Sequence, residues 1–364
     1  MKLGIVGLPN SGKSTLYSAI MQTEVETSNY PFTTTTPNIG RALVPDERLD
    51  KLHKMYNAKA LTPATVEMVD IAGVAKGASQ GEGMGNQFLA HLREVDAILH
   101  VVRCFVDDNV IHVYDSVDPV RDIETVDLEL IFADLELIDR RLTKVQKTAR
   151  TDKTFLREAD ILALIKETLE NGKAARNLNW DDADDLKLVE SFTLITQKPV
   201  LYAANVAEDE LGEIVPGSHL EALKKYAEAE GASMYVSCAK LEAEIAMLEP
   251  EEKQMFLDDL GIKETGLARL INAGYEMLGL ISFLTAGEKE VRAWTIRKNT
   301  KAPQAAGKIH GDLERGFIRA EVVAYTDLME CGSYNAAKEK GLVRVEGKEY
   351  IVQDGDVMLI RFNV

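Results

Sequence analysis

Apolar runs recur along the chain: LGIVGL at 3–8, TVEMVD at 65–70, AILHVV at 97–102, PVLYAANV at 199–206 and SMYVS at 233–237. None alternates strictly between apolar and polar, the pattern of strands covered on both faces in a parallel sheet. Helical segments at 13–22 and 86–94 fall between them, so the order predicts a doubly wound, mostly parallel α/β domain.

The period changes between 120 and 197. Leu128, Ile131, Phe132, Leu135, Ile138, Leu142 and Val145 repeat at threes and fours, which predicts the apolar face of a long amphipathic helix. A second helix is predicted over about 155–170, with Ile161, Leu164, Ile165 and Leu169 on one side. A third, from about 182, carries Leu188, Phe192 and Ile195. The block interrupts the strands of the α/β domain and reads as a helical hairpin, coiled-coil-like in pattern. It either covers its own sheet or projects as an arm for a partner.

Beyond 280 the style changes again. EVRAWTIR at 290–297, FIRAEVVAY at 317–325, LVRVE at 342–346 and VMLIRFNV at 357–364 are β-like runs separated by glycine-containing turns, with a helix near 326–339. Charge follows the same border. Residues 281–364 carry 13 Lys and Arg against 12 Asp and Glu, whereas the other 280 residues carry 29 against 47 in a chain of net charge −17. The predicted organisation is an α/β domain from 1–119 and 198–279, a helical insertion at 120–197 and a small α+β module at 280–364.

The acidic total argues against broad, nonspecific attraction to nucleic acid, which needs clustered Lys and Arg. Cys104, Cys238 and Cys331 lack metal-site spacing and read as packed thiols. No apolar run reaches membrane-spanning length and MKLGIVGLPN enters directly into a strand and loop, so a cytoplasmic location is expected.

GLPNSGKS, Gly7 to Ser14, matches GxxxxGK[ST], follows a strand and opens a helix. In that context glycines let backbone N–H groups turn toward phosphates, and the helix N-terminus adds a favourable dipole. Asn10, Ser11, Gly12, Lys13, Ser14 and Thr15 are the candidate phosphate-binding residues, with Lys13 on the β and γ oxygens and Ser14 on Mg2+. EMVDIAG at 67–73 adds Asp70, placed to hold a magnesium-bound water, and Gly73, whose N–H can meet a γ-phosphate. NYPFTTTTPNIG offers Thr33, Thr34, Thr35 and Thr36 as a further magnesium ligand, and spacing does not choose among them.

Together GLPNSGKST, NYPFTT, DIAGVAKGASQGEGMGN, AAGKIHGDLERGFIRAEV and GDVMLIRFNV resemble the YchF family of Obg-like ATPases, of the translation-factor class of P-loop NTPases, over essentially the whole chain. The resemblance implies a G domain, a helical coiled-coil insertion and a C-terminal TGS domain of β-grasp fold. It favours Thr34 as the second magnesium ligand. It also implies the ribosome or a translation or stress-response factor as partner, with the TGS domain, a possible site of RNA contact, and the helical arm touching it.

Two positions depart from the Ras-like pattern. Val74 stands where a water-orienting Gln follows DxxG. His112, which the family resemblance supports in a hydrolytic role, and a potassium ion held by Asn10 are candidate substitutes; a packed histidine and a loop-shaping asparagine are the plainer readings. At the base site, Asn205-Val206-Ala207-Glu208 stands where a guanine reader has Asn-Lys-x-Asp. The residues alone indicate weakened guanine complementarity, since a carboxylate pairs with guanine's N1–H and 2-amino donors and adenine lacks that pair. The resemblance adds ATP, with Val206 lending main-chain contacts and an apolar edge to the base and Ser237, in SCAK, on the last base-contacting loop. The expected activity is a slow, Mg2+-dependent ATPase that switches between ATP and ADP states through loops at 28–40 and 73–86. A GTPase of the Obg type, or a ribosome- or RNA-binding protein for which nucleotide is a ligand, are the alternatives.

Overall fold

The computed structural model describes residues 2–22, 38–71, 84–259 and 264–363. They form two compact units, one of Met1–Arg41 with Glu67–Leu267 and the other of Ala42–Val66 with Ala268–Val364. The strands are β1 (Lys2–Val6), β2 (Asn38–Leu43), β3 (Leu61–Thr62), β4 (Thr65–Asp70), β5 (Ala97–Arg103), β6 (Val200–Asn205), β7 (Ser233–Ser237), β8 (Leu280–Ala286), β9 (Val291–Arg297), β10 (Phe317–Ala324), β11 (Arg344–Glu346) and β12 (Asp356–Phe362).

The first sheet runs β2-β4-β1-β5-β6-β7, and β4, β1, β5, β6 and β7 are mutually parallel. Every residue of β5 and β6 is buried, which is why their runs are continuously apolar rather than alternating. Ile5 pairs with Asp70, Arg103 with Asn205 and Asn205 with Ser237. That register brings the carboxyl ends of the strands to one edge, where open α/β sheets bind ligands.

The long helix, Pro119–Ala149, starts on an Asp118 cap that accepts from the Arg121 N–H, with Pro119 in the first turn. It serves two cores. Ile123, Val126, Leu130 and Ala133 pack into the core of the first sheet, while Ile131, Ile138, Leu142 and Val145 form a separate cluster with Ile161, Leu162, Ile165 and Leu169 of the helix Leu156–Glu170. Asp134, fully buried where the two meet, accepts from the Thr196 N–H and hydroxyl at 2.8 Å each and from Arg93 at 3.1 Å.

This double duty corrects the predicted faces. Leu128 and Phe132 are 46% and 49% exposed, and on the second helix Leu162 is buried while Leu164 points outward. The third helix, Ala183–Glu190, stops short of Phe192 and Ile195, and Thr193 turns the chain with φ 53°. Phe192 and Ile195 are buried from the following loop instead.

In the second unit the sheet order is β11-β10-β12-β8-β9-β3. It is mixed: β8/β9, β10/β11 and β10/β12 are antiparallel, β12/β8 and β3/β9 parallel. It packs on the helix Ala302–Ile309, whose Ala302, Ala305 and Ala306 share a core with Phe283, Ile296, Phe317 and Met358, a β-grasp arrangement. The predicted single helix near 326–339 is two, Tyr325–Cys331 and Tyr334–Glu339, divided at Gly332, which adopts φ 73° before the Ser333 cap.

No sequence pattern hints that 42–66 joins this unit. Leu61 and Thr62 pair with Val291 and Arg292, and Arg48, from the helix Glu47–Tyr56, binds Asp354 at 2.7 Å. No helix among the described residues is long and apolar enough to cross a membrane.

Candidate functional site

The carboxyl edge of the first sheet collects the predicted site residues. The loop after β1 turns through Asn10, at φ 63°, and Gly12, at φ 93°. A Cβ on Gly12 would stand 2.1 Å from the Asn205 side-chain nitrogen, so both conformation and space demand glycine there. Gly7 is held by space alone: its Cβ would meet the Val101 carbonyl oxygen at 2.6 Å and the Ser11 hydroxyl at 2.7 Å.

The helix Lys13–Gln22 opens with its first intrahelical bond from Leu16 N–H to the Gly12 carbonyl, so the N–H groups at its start have no intrahelical acceptor. Ser14 and Thr15 are exposed on that first turn. The Ser11 hydroxyl is buried without a hydrogen-bond partner among the described residues. Lys13 Nζ donates to Asp70 Oδ1 at 2.5 Å, so the two residues assigned to phosphate and to metal-bound water face one another. One carboxylate and one hydroxyl make a sparse metal shell, and no cluster of three or more His, Cys, Asp or Glu is placed to hold a metal among the described residues. Such a set fits an ion that arrives with phosphate oxygens and waters as its other ligands. Thr34, Gly73 and Val74 lie outside the described residues, as does most of both predicted switch loops.

At the base end the structure puts the predicted residues together but engages them with one another. Asn205 donates to the Ser11 carbonyl at 2.9 Å and accepts from the Ala239 N–H at 2.9 Å. Its amide braces the phosphate loop against the start of the helix Ala239–Ala246 that follows β7. Val206 does not fit the expected role at the base: its N–H donates to the Ser237 carbonyl at 2.9 Å and its side chain, 2% exposed, belongs to the core of the sheet. Glu208 begins the short turn Glu208–Glu210 with its side chain exposed.

His112 is buried rather than exposed on a loop. Its Nδ1 accepts from the Tyr114 N–H at 3.1 Å, which places the proton on Nε2, and Nε2–H donates to Asp122 at 2.8 Å. Both ring nitrogens are engaged, so orienting a water requires one of these bonds to break. Asp122 also accepts from Arg121 at 3.0 Å.

Two connections to this loop have no counterpart in the sequence reading. Asn10 donates to the Ile111 carbonyl at 3.0 Å, tying the phosphate loop to the residue before His112. Buried Arg103, at the end of β5, donates to the carbonyls of Phe105, Asp107 and Val110. Burial lowers its pKa, and the carbonyls replace the lost water. The available signal was an arginine closing a mostly apolar strand. Next to it, burial pushes the Cys104 thiol up to about 12, which makes it a packed and unreactive thiol.

Comparison with known proteins agrees with this geometry. Residues 2–133 match the family described as 50S ribosome-binding GTPase, and residues 280–363 match the C-terminal YchF-GTPase family, described as a protein of unknown function. The chain is 55% identical over 362 residues to the ribosome-binding ATPase YchF of Bacillus subtilis, covering 99% of both chains. It is 49% identical to that of Haemophilus influenzae, over 100% of this chain and 99% of the relative. The solved structure of the Schizosaccharomyces pombe YchF GTPase superposes with a TM-score of 0.86 at 37% identity, covering 99% of this chain and 97% of the other. A phosphate loop on a doubly wound sheet, a β-grasp unit and full-length identity at this level lead to one conclusion: the chain belongs to the YchF family.

Proposed function

We propose that this chain is an ATPase that binds ATP and ADP at the carboxyl edge of its first sheet, hydrolyses ATP slowly, and works as a nucleotide-dependent switch on the ribosome in translation or stress response. The observation that carries the phosphate part is the loop of Gly7 to Ser14, with the left-handed turn at Gly12, the crowding that excludes a side chain at Gly7, the Ser11 hydroxyl without a partner among the described residues, and the Lys13–Asp70 pair. The ribosome and the cytoplasm enter through the relatives, which are named ribosome-binding ATPases.

Lys13 and the N–H groups of the first helical turn hold the phosphates, and Ser14, Thr34 and, through water, Asp70 hold Mg2+. When bound there, Mg2+ would supply positive charge that offsets the negative charge of the phosphates. Asn10 is the candidate holder of K+. Asn205 positions the loops around the base, and Glu208 is the acid left to read it. His112 enters hydrolysis only after releasing Asp122 or the Tyr114 N–H. The three-part division at 119, 197 and 279, the change of state in the loops at 28–40 and 73–86, and RNA contact through the TGS domain belong to the same proposal.

Competition of ATP and GTP against one labelled nucleotide, with and without ribosomes, tests the reading. Tighter ATP binding is expected. Tighter GTP binding favours the second reading, a GTPase, which the family described as 50S ribosome-binding GTPase and the name of the fission-yeast YchF GTPase support.

A further inference from the structure

Arg103 closes β5 with a charge that the fold buries, the residue being 3% exposed. Among the described residues no carboxylate lies within ion-pair distance of it. Its guanidinium is instead ringed by four main-chain carbonyls, of Phe105 at 3.2 Å, Asp107 at 3.3 Å, Val110 at 2.9 Å and Ile111 at 3.5 Å, and lies 4.5 Å above the Phe105 ring. The residue that follows the last of these carbonyls is His112. We propose that Arg103 is a positioning residue for hydrolysis, holding the loop that carries His112 against the phosphate loop; the proposal rests on the reading of His112 above and says what places it.

A buried cation without a counter-charge is an expensive way to close a strand, and an apolar side chain of similar length would do so at less cost. What the guanidinium provides is geometry. Its planar fork fixes several acceptors at once, and here they all belong to one stretch of loop, 105–111. The Ile111 carbonyl has a second donor, because Asn10 of the phosphate loop reaches it at 3.0 Å. The phosphate loop, the end of β5 and the residue before His112 therefore meet at one oxygen.

The chain beyond His112 is held separately. Arg121, in the first turn of the long helix, donates to the Ser116 carbonyl at 2.6 Å and to its hydroxyl at 2.9 Å, and covers the Tyr114 ring at 4.6 Å. One arginine thus clamps the backbone up to Ile111 and another from Ser116 onward, with residues 112–115 between them. In that interval Asp115 adopts φ 56°, in the left-handed region, and its N–H closes a turn on the His112 carbonyl at 3.1 Å. His112 must give up Asp122 or the Tyr114 N–H before it can orient water. With both clamps in place, that release is confined to the ring and this short interval. Without Arg103 the arm before His112 is freed as well, and the imidazole is spread over many positions, few of them productive. The penalty then falls on the chemical step and leaves nucleotide binding nearly untouched.

The test measures single-turnover ATP hydrolysis, ATP affinity and thermal unfolding in the full chain, comparing the parent with Arg103→Met, His112→Ala and the variant carrying both. Arg103→Met is expected to slow hydrolysis by about tenfold or more, with ATP affinity within about twofold of the parent's. In the His112→Ala background the same substitution is expected to cause no further slowing, since residues that act through one another are not additive. Arg103→Lys keeps the buried charge without the fork and is expected to recover part of the rate. A parent-like rate in Arg103→Met, beside a slow His112→Ala, overturns the proposal and spares the reading of His112. A loss that repeats in full on top of His112→Ala also overturns it, because Arg103 then acts elsewhere. Unchanged hydrolysis in His112→Ala alone removes the histidine from the reaction and takes the proposal with it. Should Arg103→Met unfold at a lower temperature, the same cycle is run with Arg103→Lys: slowing that vanishes in the His112→Ala background keeps the proposal, and slowing equal in both backgrounds, or none, overturns it.

Discussion

The two ends of the nucleotide site are built on opposite plans. At the phosphate end the backbone is forced into shapes that leave polar groups unmatched: among the described residues the Ser11 hydroxyl is buried without a partner, and the first helical N–H groups have no intrahelical acceptor. At the base end the polar groups are engaged internally, Asn205 with Ser11 and Ala239, Val206 with Ser237. The phosphate end is thus prepared for a ligand that completes it, whereas the base end is scaffold with an exposed acidic turn, Glu208 at its head, left to choose. A site divided in this way can change its base without rebuilding its phosphate chemistry.

Breaking the phosphate end has the largest expected consequence. Lys13→Ala removes the cation and frees Asp70, and hydrolysis under single turnover is expected to fall about 10²–10³-fold; a fall of only a few-fold contradicts the role given to Lys13. His112→Ala is expected to slow the same step by about tenfold or more while leaving ATP affinity nearly unchanged; equal single-turnover rates remove it from the reaction. Asn205→Ala orphans the Ser11 carbonyl and the Ala239 N–H, with a cost of about 1–3 kcal/mol in unfolding free energy. Calorimetry together with competition binding is expected to show ATP and GTP weakened alike, and a selective loss of one nucleotide makes Asn205 a base reader instead. The smallest effect sharpens the comparison most. Glu208→Asp shortens the exposed acid toward the guanine-reading length and is expected to improve GTP against ATP by about five- to tenfold. Adding Lys at Val206 is a poorer test, because that side chain is in the core.

Local demands were legible and distant ones were not. The central strands announced themselves as continuous apolar runs because both of their faces are covered, whereas β2, reading NIGRAL, and the two-residue β3 gave too little pattern to find. The phosphate loop was readable because its glycines answer to the backbone immediately around them. The brace from Asn205 to Ser11 joins residues 194 apart in sequence, and no spacing rule reaches that far. The long helix misled for a related reason. Its inward side includes the carboxylates Asp122 and Asp134, made tolerable inside by His112, Arg121, Arg93 and Thr196, so an apolar-only reading assigned Leu128 and Phe132 to a face that solvent occupies.

The pairing of β3 with β9 also sets a timetable for synthesis. Leu61 leaves the ribosome about 230 residues before its partner Val291, and at roughly 5–20 residues per second the wait is on the order of 10–50 s. For that interval the helix Glu47–Tyr56 and its short strand have no sheet to join, and the nascent first unit must carry them as a loose loop. The C-terminal unit therefore cannot finish until nearly the whole chain exists, and its last edge closes with a segment made near the beginning.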